Sequence, residues 1–344
     1  MIGKVDILTD KSEVSINPNK RVNWVDTLRG IAIVAVVADH AFYLFVQFRS
    51  DFIWKSMYFS VPWFVFLAGY TSTISILKHG WRMPASVILY WLRKWTIPAW
   101  YVAAAMFIYW YDNRSNFILT QFWDKLLLFS VEPTYYFINL ILQLYLFFPL
   151  LISIILPLKN RYMHLALVVL VYFFSEYYLM HTSAPWPFAP AGKILGGLYL
   201  TVYVSGIIFA LENLFASKLV IILATVIFTI YEIIFIQTSG SFIGIVPNIP
   251  SIMWSVGLLI LVAGIIMHLK LKIFDMILGF FGKQSLTIYL WHFFILRQFF
   301  TWPKNTIEFI GVIFTALFIG SLVQPIMNLF NPVKYLRKNS TVAI

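Results

Sequence analysis

Long apolar runs recur from residue 24 almost to the end of the chain, each bounded by a short polar or Pro/Gly-rich stretch. In lipid the backbone must satisfy its own hydrogen bonds, so runs of this length predict membrane-crossing helices, not strands. The pattern places them near 24–46, 56–77, 87–110, 135–157, 162–180, 193–211, 218–236, 250–268, 277–298 and 305–328. The expected fold is therefore all-α, a polytopic membrane helix bundle of about ten transmembrane helices over 24–328. Tails at 1–23 and 329–344 flank it. The polar first segment lacks an apolar core with a small-residue cleavage site, so no removable signal peptide is expected. Phe117 to Phe129 is mostly apolar but too short to cross, and reads as an interfacial or re-entrant helix. Residues 181–192, HTSAPWPFAPAG, should be extended and rigid.

Composition agrees with the pattern. Of 344 residues, 61% are apolar and only 11% charged, with a mean hydropathy of +0.83; a soluble domain is about 25% charged. A soluble globular domain, a disordered chain and a nucleic-acid binder are excluded, despite a net charge of +11. That charge is distributed by side. The N-terminus and every second connection hold Lys4, Lys11, Lys20, Arg21, Lys78, Arg82, Lys159, Arg161, Lys218, Lys270, Lys272, Lys334, Arg337 and Lys338. The opposite connections hold only Arg49, Lys55, Arg114, Lys125 and Lys304. By the positive-inside rule both termini are cytoplasmic, and the excess charge also tethers anionic membrane lipids. The absence of cysteine excludes disulfides, a thiolate metal site and a cysteine nucleophile. The six histidines are scattered without metal-ligand spacing, so no metal is expected. A bacterial cytoplasmic membrane suits this composition.

Ionisable residues inside a span are costly and mark functional sites by default. The first span carries Arg29 and His40, eleven steps apart. At 3.6 residues per turn that is about three turns, so both project from one face roughly 16 Å apart. A cation at the cytoplasmic end and an imidazole at depth could hold two ends of one long ligand. Acyl-coenzyme A has that shape: Arg29 would take its polar arm, and His40 would act as general base toward an acceptor hydroxyl. The plainer alternative is a hydrogen-bonded helical histidine with a snorkelling arginine.

Asp39 points about 100° from His40 and so should not orient it. An orienting partner should come from another helix, while Asp39 pairs with a basic residue across the bundle or faces a wet cavity. Glu176, Glu232 and Trp186 are the other acceptor-site candidates, the first two alternatively water-facing caps and the last a sugar-stacking platform. Ser285, Tyr289 and His292 share a helix face. They read as a hydroxyl–phenol–imidazole relay or, more simply, as polar packing between helices. Gly30, Ala32, Ala35 and Ala38 read as close packing.

The Arg29-to-His40 spacing, with Asp26, Leu28 and Gly30 around it, resembles the signature of the acyltransferase-3 family of membrane O-acyltransferases. Further segments resemble that family in order: Val61-Pro62-Trp63-Phe64-Val65-Phe66-Leu67-Ala68-Gly69-Tyr70, Tyr136-Phe137 through Pro149, Tyr203 with Gly206, and Gly282-Lys283-Gln284-Ser285 through His292. The resemblance covers roughly residues 22–330 and implies ten spans. It implies transfer of an acyl group, acetyl before succinyl, from cytoplasmic acyl-coenzyme A to a hydroxyl of a cell-surface or lipid-linked glycan. His40 would be catalytic and Arg29 would bind the donor. Where the family carries two arginines before the third span's proline, this chain reads Tyr90-Trp91-Leu92-Arg93-Lys94-Trp95. Arg93 and Lys94 are thus donor-phosphate candidates or positive-inside anchors. The rival reading is a polysaccharide exporter or transporter, which ten spans and buried charges would suit equally well.

Overall fold

The computed structural model describes residues 23–79, 85–158, 160–181, 194–241, 248–269, 272–299 and 303–330. Among them there are helices and no strands. The long helices are α1 (Asn23–Leu44), α3 (Ser60–His79), α5 (Thr96–Asp112), α7 (Tyr136–Ile155), α8 (Arg161–Phe174), α9 (Tyr199–Leu211), α10 (Lys218–Gln237), α11 (Ile249–Leu269), α13 (Ser285–Phe299) and α14 (Thr306–Leu322). Shorter ones are α2 (Asp51–Ser56), α4 (Ala85–Lys94), α6 (Leu119–Leu127), α12 (Lys272–Lys283) and α15 (Gln324–Met327). Seven helical segments are long and apolar enough to cross a membrane by length and composition.

Three expected spans differ from single helices, each for a local reason. The run at 87–110 is two helices, α4 and α5, parted at Trp95. Pro98 has no N–H for the Lys94 carbonyl and its ring clashes there, so the first helix stops. The run at 193–211 begins as a short turn, because Leu195, Gly196 and Gly197 have φ of 51°, 69° and 61°, and only α9 follows as α-helix. The run at 277–298 is α12 and α13, parted at Gln284.

Side-chain contacts show which helix ends share a face. At the near face, where α1 begins, the Thr27 hydroxyl donates to Asp275 at 3.0 Å and Arg29 to Thr71 at 3.0 Å. His164 also meets Glu212 there, at 2.8 Å. At the far face Gln47 reaches the Pro303 carbonyl, Lys55 the Ser239 carbonyl, and Arg297 both Asp112 and Glu132. The ten long helices thus alternate in direction, as the sequence predicts. The segment left open between interfacial and re-entrant is α6. Tyr109 and Tyr101, two turns apart on α5, donate to the carbonyls of Ile118 and Leu126. The helix therefore runs antiparallel beside α5 and does not lie flat.

The first helix is the axis of the bundle. Leu28, Ile33, Val37 and Ala41 are fully buried. Helices in lipid gain little from hydrophobic burial against each other, so small residues and close packing must hold them. A methyl group at Gly30 would overlap the Leu278 carbonyl, and one at Gly282 the Asp26 carbonyl. The α1 and α12 backbones therefore touch. Beyond that contact α13 takes over and packs along the far half of α1.

Candidate active site

Against this buried helix, His40 keeps a side chain 19% exposed and Asp39 one 22% exposed. The His40 Nδ1 lies 2.8 Å from the Val36 carbonyl, one turn back. The second neighbour of that nitrogen is Nε2 of His292 on α13, at 3.1 Å. His292 in turn places its Nδ1 2.8 Å from the Tyr289 carbonyl.

A carbonyl can only accept, which fixes the protons when both rings are neutral. His292 carries its proton on Nδ1 and donates to Tyr289. His40 carries its proton on Nδ1 and shares it between Val36 and His292. The His40 Nε2 is left with a free lone pair. His292 is fully buried, so the exposed nitrogen of the pair belongs to His40. The partner expected from another helix is His292, which spacing had assigned to packing.

Of the two expectations for Asp39, the pairing with a basic residue is not seen among the described residues. Its Oδ2 lies 3.9 Å from the His40 Nε2, too far for a direct hydrogen bond but beside the free lone pair. Its Oδ1 and the Trp54 Nε1 are buried without hydrogen-bond partners. Tyr58, Tyr136 and Tyr289 lie within electrostatic reach of the carboxylate. One acid and several phenols thus stand near His40. The Ser285–Tyr289–His292 relay is not formed, since the Tyr289 hydroxyl donates to the Thr134 carbonyl.

At the near end of the same helix, Arg29 donates to Thr71 and keeps its Nη1 3.8 Å from the buried Asp26. Lys94 is linked to α3 through Tyr90. Its ammonium lies 4.1 Å from the Tyr145 ring centre and 5.6 Å from that of Tyr90, whose hydroxyl pairs with Ser72 at 3.3 Å. Arg93 is half-buried and has no hydrogen bond or ion pair among the described residues. Of the cations expected to hold the donor, Arg29 thus meets α3 directly and Lys94 through Tyr90.

The other candidates stand apart. Glu232 accepts from the Trp254 Nε1 at 2.6 Å, within a small cluster with Phe235 that Tyr58 also joins. Its carboxylate is already engaged by Trp254. Glu176 lies in a π-helical turn, Ser175–Leu179, at the end of α8, which packs against α9. The structure does not bring it to His40. Trp186 lies outside the described residues.

An element that spacing did not single out closes the far end. Arg297 donates to Asp112 at 2.6 Å and to Glu132 at 2.8 Å. Glu132 is 2% exposed. Burial pushes its carboxyl up to about 7, against the opposing pull of Arg297.

Fold and site together define a polytopic helical membrane protein with a histidine pair at depth and, three turns back along α1, Arg29. Residues 22–325 match the model of the acyltransferase domain of the acyltransferase-3 family, and the chain belongs to that family. It is a membrane acyltransferase, transferring groups other than aminoacyl groups. No curated protein and no solved structure matches it.

Proposed function

We propose that the enzyme is an O-acyltransferase of the bacterial cytoplasmic membrane. It moves an acyl group, acetyl in the simplest case, from cytoplasmic acyl-coenzyme A to a hydroxyl of a cell-surface or lipid-linked glycan. The observation that carries this reading is the free His40 Nε2, backed by His292 and set on the same helix face as Arg29.

In the reaction the acceptor hydroxyl gives its proton to the His40 Nε2 while its oxygen attacks the thioester carbonyl carbon. The C–O bond forms, the C–S bond breaks, and coenzyme A leaves as a thiolate that recovers the proton from His40. Positive charge on the imidazole ring is stabilised twice, by the His292 lone pair on one nitrogen and by the Asp39 carboxylate beside the other. Asp39, with Trp54 and the neighbouring phenols, also offers the hydrogen bonds that would orient a polyol. Glu232 supports this wall from behind. Arg29, Lys94 and Arg93 hold the phosphates and polar arm of the donor. Membrane lipid surrounds the site; nucleic acid has no part in it.

The test is mass spectrometry of surface glycans from cells carrying wild-type enzyme or His40→Ala, with the protein's fold checked in detergent. Loss of one acyl mass increment in the variant is expected, and the increment distinguishes acetyl from succinyl. Retention of the wild-type spectrum by His40→Ala overturns the mechanism.

A further inference from the structure

We propose that Arg297, Glu132 and Asp112 form a clamp that positions α13, and through it His292 and the His40 ring, for the transfer step. The inference rests on the acyl-transfer reading above and adds residues that contact neither substrate.

The helix breaks at Gln284. There α12 ends and α13 begins one residue later, the Gln284 N–H still reaching the Phe281 carbonyl and its carbonyl still accepting from Ile288, so the base of α13 is tied to α12. The rest of its 15 residues is gripped from the side. The Thr287 hydroxyl donates to Gln324 at 2.5 Å near its base. The Tyr135 hydroxyl donates to the Leu290 carbonyl at 2.9 Å, and Tyr289 donates in the opposite direction to Thr134. Arg297 closes the far end through Glu132 and Asp112, helped by Gln298, which donates to Asp112 at 3.3 Å.

Three of these grips come from one four-residue stretch, Glu132 to Tyr135. His292 sits between them, with Tyr289 and Leu290 on one side and Arg297 on the other. Arg297 is five residues along the helix from His292, roughly 7.5 Å. The 3.1 Å contact between the two histidines leaves little slack, because a slide of about 1 Å takes such a pair out of hydrogen-bond range. An exposed ion pair would be too weak to carry this role. Here Glu132 is 2% exposed and the arginine binds two carboxylates on different elements. Releasing it frees one end of the stretch that grips α13 and leaves a buried acid without its cation.

The experiment uses the full-length enzyme in detergent with acetyl-coenzyme A and surface glycan from cells lacking the gene, reading release of the coenzyme A thiol. Arg297→Gln should lower kcat at least about 10-fold with the donor KM unchanged, since displacement remote from the reacting atoms acts on alignment. Arg297→Lys should recover most of the loss. An unchanged kcat, or an equal effect of Lys and Gln, overturns the clamp. A second readout needs no turnover: carbethoxylation of histidines by diethyl pyrocarbonate. His292 should be protected in the wild type and react several-fold faster in Arg297→Gln; unchanged protection overturns the clamp. If Arg297→Gln does not fold, Glu132→Gln, of nearly the same shape, carries both measurements. If His40→Ala transfers normally, the acyl-transfer reading fails, while the His292 protection still decides whether the clamp exists.

Discussion

His40 and His292 lie 252 positions apart and divide one task, the first exposing a lone pair and the second holding the ring that bears it. His292→Leu removes the acceptor for the Nδ1 proton and should cost about 100-fold in kcat, whereas His292→Gln, whose amide oxygen can still accept, should cost distinctly less. Equal losses in the two variants, measured by thiol release, would reduce His292 to packing. Arg29→Gln should instead raise the donor KM roughly 10-fold, the worth of a hydrogen bond to a charged group. Arg29 and His40 were legible in the sequence because helical arithmetic relates two positions on one helix. His292 was not, because its partner lies on another helix and spacing alone makes it resemble a packing residue. Asp39 does not orient Nδ1, which Val36 and His292 hold, yet its carboxylate reaches the neighbourhood of Nε2. At the far face, Glu132 has a carboxyl raised to about 7 in the fold, by burial, from an ordinary 4.5. Its contribution to stability is therefore complete below the unfolded value and is lost as pH rises through about 7. The thermal midpoint of the wild type should fall between about pH 5 and about pH 8, and Glu132→Gln should flatten that slope. Parallel pH curves for the two proteins would show that the group does not titrate there.

Among the elements, the interrupted helices carry the site. Pro98 stops α4 and Pro325 stops α14, and both breaks follow from residues visible in the sequence. The break at Gln284 has no such mark in the sequence; it follows directly on Gly282, where α12 meets the α1 backbone. Gly30 and Gly282 fit a small-residue packing pattern in the sequence, but which helix approaches them is a tertiary fact. Gly30→Ala must push Leu278 away and should destabilise the protein by about 2 kcal/mol. Gly311→Ala on α14, where nothing lies within 4 Å of the added methyl, should be neutral or stabilise by about 0.5 kcal/mol through helix propensity. Thermal unfolding of the two variants in one detergent compares them directly. A Gly30→Ala protein as stable as Gly311→Ala would mean that α1 and α12 do not touch.

For the whole molecule, ten alternating helices put the two ends of the described bundle at one face. The near face carries Lys78 and Lys218, while the far face carries Arg114 and Lys125. The hydropathy pattern made this alternation legible because a crossing is set mainly by length and apolarity. The face contacts, such as Lys55 with Ser239 and Arg29 with Thr71, require the folded bundle. Which face is cytoplasmic follows from the charge count alone, and the chain offers a clean test because it contains no cysteine. Ser115 and Thr238 are exposed at the far face and Ala216 at the near face. Single substitutions Ser115→Cys and Thr238→Cys should react with a membrane-impermeant maleimide on intact cells, and Ala216→Cys only after permeabilisation. The inverse labelling would reverse the protein in the membrane. It would also place Arg29 away from the cytoplasmic coenzyme A pool, so this orientation is a condition of the proposed chemistry. With the near face inward, the proposed donor at Arg29 would extend along α1 toward His40, which lies closer to the far face. The thioester and a glycan hydroxyl arriving from outside would then meet at His40, and the acyl group would cross most of the membrane before the bond is made.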